Sequence, residues 1–214
     1  MSMFGFIASF FREGGPFMFI ILGVGVLATA IGFERAVVIM TAGRISVEKL
    51  LSKVVAALRQ GELAKAQIVC KAGNAPLMKV GAAILNQPSD ATTEQALTSS
   101  AEAAAMVHLP PLTRRLSYLV MLANVATLLG LLGTIFGLIY AFGAVNAADP
   151  SQRSALLAQG IAQALNTTAF GLIIAVPTLA LHSFLVSQVE GITDQVDEFS
   201  VRLISLVVRK RDLV

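Results

Sequence analysis

The sequence predicts an all-α integral membrane protein with three transmembrane helices, two of them long and projecting into the cytoplasm, plus a small helical cytoplasmic segment. Three observations predict this class. Of the 214 residues, 56% are hydrophobic and 14% are charged, whereas soluble domains carry about 25% charged residues. Residues 14–33, 116–148 and 154–189 contain no charged side chain, and about 20 apolar residues suffice to cross a bilayer. Only residues 44–115 form a soluble stretch of any size.

The N-terminal region combines a short aromatic stretch with the first span. Residues 1–13 are rich in phenylalanine and predict a helix that lies at the membrane interface. Residues 14–43 predict the first transmembrane helix. Its end carries Glu34 and Arg35, which we interpret as a structural ion pair or a headgroup contact near a membrane face.

The segment 44–115 predicts a layer of short helices. Residues 45–60 have leucine and valine at helical spacing on one face, and residues 62–72 and 76–87 predict two more helices between breaks at Gly61 and Gly73. Asp90 is the expected N-cap of a helix that runs to about Leu109. This segment has too few apolar residues for a large core of its own, so we expect it to pack on cytoplasmic extensions of the spans.

The second and third spans are the charge-free runs 116–148 and 154–189, which have 33 and 36 residues. At 1.5 Å per residue such helices reach roughly 50 Å, against a hydrocarbon core of about 30 Å. They are therefore expected to extend beyond the bilayer, and Pro177 is an expected kink in the third. Residues 190–214 predict a cytoplasmic C-terminal helix.

The distribution of basic residues predicts the orientation. Of the 16 Lys and Arg residues, all but Arg12 and Arg153 lie in or next to residues 44–115 or in the C-terminal tail. Because basic residues accumulate on the cytoplasmic side, we expect a periplasmic N-terminus and a cytoplasmic C-terminus in the inner membrane.

The second and third spans each carry a stripe of small and polar residues. On a helix, the first stripe covers about 80° of arc and the second about 100°. The members of the first are Ala123, Thr127, Gly130, Thr134, Gly137 and Ala141, and those of the second are Gly160, Ala164, Thr167, Thr168, Gly171, Ala175, Thr178 and His182, with Gln163 at its edge.

These stripes have two interpretations. Small residues allow helices to approach closely, which makes Gly130, Gly133, Gly137, Gly160 and Gly171 candidates for helix packing. Polar groups at membrane depth usually face protein or a wet cavity. The candidate ion-pathway residues, which would line a pore, are Thr134, Thr168, Thr127, Thr167 and Gln163.

The composition points away from enzymatic chemistry. The sequence has no nucleotide-binding loop, no metal-ligand cluster and no nucleophile paired with a base, so we expect no enzyme, no metal, no cofactor and no nucleic-acid partner. The charge-free runs 14–33, 116–148 and 154–189 contain no Asp or Glu, and His182 is their only candidate proton carrier. A proton path needs a group that changes protonation state, so another chain is expected to supply a carboxylate.

The residues of the two stripes resemble a known family. The stretches LLGLLGTIFG at 128–137, GIAQAL at 160–165 and TAFGL at 168–172 resemble the MotA/TolQ/ExbB proton-channel family, nearest its ExbB/TolQ branch. The resemblance covers most of the chain. It departs from the family pattern at Gln163, where a glutamate is common, and at Thr127, where many members have proline.

The resemblance implies a function and a set of partners. It implies a ring-forming subunit of an inner-membrane proton-driven motor, a homopentamer as in members of this family, that surrounds ExbD/TolR-like single-span subunits with a membrane Asp. It also implies a TonB/TolA-like or other envelope-spanning effector and contact with membrane lipids. By the same resemblance, Thr134 and Thr168 match the family's pore threonines. One alternative is a non-conducting helical membrane scaffold. A second is a secondary transporter, but the sequence has no internal repeat and no substrate-binding charge.

Overall fold

The computed structural model describes residues 10–11, 14–87, 93–147 and 149–211, and these residues contain helices and no strands. The helices run in the order α1 Phe17–Ala42, α2 Val47–Arg59, α3 Leu63–Lys71, α4 Pro76–Leu85, α5 Glu94–His108, α6 Pro110–Thr113, α7 Leu116–Ala147 and α8 Arg153–Arg211. The predicted all-α class is therefore confirmed.

Three of these helices, α1, α7 and α8, are long and apolar enough to cross a membrane. Helix α8 continues for 59 residues, through the predicted third span 154–189 and into the predicted C-terminal helix, with Pro177 inside it. Proline removes one backbone hydrogen bond, but the helix does not end there. The predicted interfacial helix 1–13 lies outside the described residues, apart from Phe10 and Phe11.

The contacts divide the chain into two compact units. The first contains the described residues up to Phe33 together with Arg115–Ser183. Within it, α1 packs on one face of α8: Met18 and Ile21 are fully buried with Phe170, and Gly25 and Gly32 lie against Ile174 and Leu181. The glycines of α1 thus let the first span approach the third.

The second unit contains Glu34–Arg114 and the described residues after Phe184. Its helices form the expected layer, in which α2 packs on α3, α3 on α4 and α4 on α5. The core joins this layer to α8, as predicted, because Val196, Phe199 and Leu203 are buried with the apolar faces of the short helices. Burial of each such side chain stabilises the folded protein by about 1.5–3 kcal/mol.

Local sequence explains where these short helices begin and end. Glu48 in the first turn of α2 and Arg59 in its last turn complement the helix dipole. Gly61 follows with a φ of 76°, a left-handed conformation that glycine adopts without strain. The predicted N-cap Asp90 lies outside the described residues. Because α5 begins at Glu94, its N-cap is Thr93.

Cys70 lies at the centre of this unit, fully buried and close to Gly81, where an added Cβ would lie 3.0 Å from the Cys70 sulfur. Burial raises the pKa of the Cys70 thiol to about 11. The thiol is therefore protonated and shielded at neutral pH, which makes it a poor nucleophile.

Arg35 is a buried cation in the second unit, with 8% of its surface exposed. Its guanidinium donates to the carboxylate of Glu34 at 2.6 Å and to the carbonyl oxygens of Pro111 and Arg114 at 3.4 and 3.2 Å. Its Nε is buried without a partner among the described residues. The predicted ion pair is present, and it also ties the end of α1 to the turn after α6.

We expect Arg35→Gln to lower the free energy of unfolding by about 1.5–3 kcal/mol, because hydrogen bonds to a charged group are lost. Arg44 is exposed, so Arg44→Gln is the matched control and should change stability by no more than about 0.5 kcal/mol. The midpoint of thermal unfolding in detergent measures both. Equal midpoints for the two variants would show that the Arg35 contacts contribute nothing to stability.

Candidate ion-pathway site

The contact between α7 and α8 is a seam of small residues. The register of the two helices follows from the atoms that a Cβ added to each glycine would face. A Cβ on Gly130 would meet Thr168, one on Gly133 would meet Thr167, and one on Gly137 would meet Ala164. Farther along, Gly171 lies against Ala126 and Gly160 against Ala141. Along these contacts, residue numbers decrease on α8 as they increase on α7, so the two helices are antiparallel.

Four of the five glycines in this seam face backbone atoms of the other helix, whereas Gly133 faces the Thr167 side chain. A Cβ on Gly171 would lie 2.7 Å from the carbonyl oxygen of Ala126, and one on Gly137 would lie 3.2 Å from the Ala164 nitrogen. No rotamer change can relieve contacts with backbone atoms. Those four glycines therefore set the separation of α7 and α8, as small residues do in membrane helix pairs.

The threonines divide between the two flanks of this seam. On α7, Thr127 and Thr134 project about 40–60° to one side of Gly130, whereas Ala126 and Gly133 project about 40–60° to the other. On α8, Thr168 projects about 40° to one side of Ala164 and Thr167 about 60° to the other. Because the helices are antiparallel, Thr127, Thr134 and Thr168 lie on the same flank, which we call the threonine flank.

The hydroxyls of the threonine flank all donate to backbone carbonyls. Thr127 donates to Ala123 at 3.1 Å and Thr134 to Leu131 at 2.6 Å, each within its own helix. Thr168 donates across the seam to Gly130 at 3.0 Å. A hydroxyl that donates its single hydrogen keeps its oxygen as an acceptor. The flank therefore presents acceptors suited to water or a protonated acid.

Thr167 and Gln163 lie on the other flank. Thr167 is 1% exposed, and its hydroxyl donates to the Ala164 carbonyl at 2.7 Å, so it fills the seam beside Gly133. Gln163 projects farther round α8, and its side-chain amide lies against Gly15. Phe170, which contacts α1, lies on the same face one heptad later. The structure thus separates these two candidates from the threonine flank.

Sequence reasoning missed one member of the seam, Ala126, which is fully buried. The signal was available, since Ala126 lies four residues before Gly130 and on the same face. Reasoning from hydroxyl positions centred the first stripe on Thr127 and Thr134. The small residues alone would have centred it between Gly130 and Gly137.

Titratable groups are scarce at this site. No Asp or Glu occurs in residues 116–148 or 154–189. Among the residues that the structure describes, no group of His, Cys, Asp and Glu could hold a metal ion. The described residues at this seam offer hydroxyl, amide and carbonyl groups. These groups can orient water and accept hydrogen bonds.

A family model for the MotA/TolQ/ExbB proton channel family matches residues 68–198, which include the whole seam. The chain belongs to this family. The family match and the three apolar helices together make it a multi-pass membrane protein.

Curated members of the ExbB/TolQ branch are similar to the chain. A protein of Methanothermobacter thermautotrophicus, named as a biopolymer transport protein ExbB homologue, is 26% identical over 92% of this chain and 69% of its own length. The Tol-Pal system protein TolQ of Haemophilus influenzae is 34% identical over 43% of this chain and 42% of its own. Biopolymer transport protein exbB1 of Vibrio cholerae is 46% identical over 30% of this chain and 28% of its own. The chain thus matches less than half the length of the last two relatives.

Proposed function

We propose that this chain is the ring-forming subunit of an inner-membrane proton-driven motor. In this proposal, five copies surround ExbD/TolR-like single-span subunits, and proton flow moves those subunits so that they do mechanical work on the cell envelope. Family membership supports the proton-channel assignment. The observation that carries the proposal is the threonine flank, because it offers hydrogen-bond acceptors within the runs 116–148 and 154–189, which contain no Asp or Glu.

The missing carboxylate defines what the partner must supply. A carboxylate at membrane depth is costly unless it is protonated or paired. A partner Asp that takes a proton from the periplasmic side becomes a neutral acid, whose O–H can donate to the hydroxyl oxygens of Thr134 and Thr168. Release of that proton toward the cytoplasm restores the anion. Thr134 and Thr168 cannot donate hydrogen bonds to this anion while their hydroxyls donate to backbone carbonyls. The protonation state of the Asp therefore changes its affinity for the flank, and this difference can drive movement.

The proposal is tested by the mass of the complex purified in detergent with its partner. Native mass spectrometry is expected to give five copies of this chain and at least one single-span subunit that carries an Asp in its span. A monomer or dimer of this chain, purified with the partner present, would contradict the ring.

The basic residues support an orientation with a periplasmic N-terminus and a cytoplasmic C-terminus. We expect a cysteine at Ser151, in the exposed turn between α7 and α8, to react with an impermeant maleimide in intact cells with permeabilised outer membranes. A cysteine at Gln60, exposed after α2, should react only after lysis. Native Cys70 gives little background because it is buried. The opposite labelling pattern would reverse the topology.

A non-conducting scaffold is the second candidate function. The specific observation that favours it is the seam itself, in which Thr167 and the glycines pack within one chain. The scaffold needs no free acceptors on the threonine flank. The two functions therefore differ in what removal of one hydroxyl does to proton-driven work.

A further inference from the structure

A groove with a volume of about 290 Å³ runs between α5 and the C-terminal part of α8, within the second unit. Its walls carry the carboxylates of Glu94 and Glu102 on α5 and of Asp197 on α8. Its apolar wall includes Val201, which is 66% exposed. A groove that combines an exposed valine with three acidic residues is open to a partner that carries both apolar and basic groups.

The groove's charges have no counterparts in the described part of the same chain. None of the ion pairs found there includes Glu94, Glu102 or Asp197. The basic residue Arg202 of α8 is already paired with Glu198 at 2.7 Å. The carboxylates therefore leave a net negative surface along the groove.

Another helix of the same layer carries a basic surface. On α2, Lys49 and Lys53 are exposed and lie one turn apart on one face. They form no ion pair among the described residues. The nearby acid on this helix, Glu48, accepts a hydrogen bond from the Ser46 hydroxyl at 2.7 Å, which lowers the pKa of the Glu48 carboxyl. The α2 surface thus offers two free ammonium groups beside the exposed Ala56.

The two surfaces lie on different helices of the layer. Helix α2 packs on α3, α3 on α4 and α4 on α5, while α2 and α5 both contribute to one core with α8. Two different, complementary surfaces on one chain produce a head-to-tail contact, which generates a ring when the rotation closes. Salt bridges of this kind mainly set partner choice and orientation.

We propose that the groove between α5 and α8 binds α2 of a neighbouring copy of this chain, with Lys49 and Lys53 placed among Glu94, Glu102 and Asp197. This inference rests on the proposed ring and names the soluble surfaces that join its subunits. The contact is heterologous, so each copy gives α2 to one neighbour and the groove to the other.

Cross-linking with paired cysteines tests the contact. The full-length double variant Lys53→Cys and Glu102→Cys, treated in membranes with a short bismaleimide, is expected to give a ladder of covalent oligomers up to the size of the native ring. Neither single variant should give this ladder, because a head-to-tail contact joins two different surfaces. The parent controls for Cys70, whose buried thiol should not react.

The outcomes separate this inference from the proposed function. A native ring whose double variant gives no ladder would overturn the α2–groove contact and leave the ring standing. Efficient dimers from Lys53→Cys alone would show that α2 pairs with itself, which also overturns the contact. A parent that is monomeric with its partner present would overturn both proposals.

Charge reversal gives an independent readout. Lys53→Glu and Glu102→Lys should each lower ring recovery about five-fold at low salt, and the two together should restore it. Lys71→Glu on α3, in the middle of the layer, is the matched control and should have no effect. Failure of the double reversal to recover more ring than either single reversal would contradict the pairing.

Discussion

Gly171→Ala is expected to separate α7 from α8 and to cause a large loss of folded protein. The added Cβ would lie 2.7 Å from the Ala126 carbonyl oxygen and 3.3 Å from the Gly130 Cα. Both are backbone atoms, so the helices must move apart. Overpacking of this kind costs about 1–3 kcal/mol, and the shift also breaks the bond from Thr168 to Gly130.

The matched control is Gly143→Ala on α7, where an added Cβ would meet nothing within 4 Å. Alanine favours a helix over glycine by about 1 kcal/mol, so this control should be neutral or slightly stabilising. The fraction of protein that stays monodisperse in detergent after a heating series measures both variants. If Gly171→Ala matches Gly143→Ala, the close seam between α7 and α8 does not exist.

Thr168→Val is expected to abolish proton-driven work while the complex still assembles. Valine keeps the shape of threonine and removes the hydroxyl, and a lost hydrogen bond in a membrane protein averages only about 0.6 kcal/mol. A scaffold should therefore tolerate the change. In the proposed motor, the Thr168 oxygen is an acceptor for water or the partner's acid, so its loss interrupts proton transfer. Thr134→Val should behave in the same way.

Two controls separate this effect from a general loss of hydroxyls. Thr29→Val removes a hydroxyl of α1 that bonds only the Gly25 carbonyl of its own helix, and Asn166→Val changes the side of α8 that points away from the seam. Both should retain complex recovery and work. Complex yield beside a proton-motive-force-dependent phenotype gives the two readouts. Loss of yield in Thr168→Val would instead assign the hydroxyl to packing.

The fold was predictable because charge-free runs and helical spacing are strong local signals. Helix α7 starts directly after Arg115 and α8 starts at Arg153, the charges that precede those runs. The start of α5 is at Glu94 with Thr93 in the N-cap position, a residue type that is acceptable there. The predicted N-cap Asp90 lies outside the described residues.

The candidate site was predictable only in part. Helical periodicity placed Thr134 and Thr168 near small residues, but it could not show which flank each side chain occupies. That division depends on the register between α7 and α8, set by contacts such as Gly171 with Ala126. The position of Gln163 depends on where α1 packs on α8, which no pattern within one helix reveals.

Proton flux into liposomes tests the central claim most directly. The purified complex of this chain and its single-span partner, reconstituted with an internal pH dye, is placed under an imposed membrane potential. The account predicts measurable proton uptake by the parent complex, the same uptake with Thr29→Val, and uptake at least about ten-fold slower with Thr168→Val, a barrier increase of about 1.4 kcal/mol. Equal uptake by Thr168→Val and the parent would contradict the threonine flank as the ion path and would favour the scaffold.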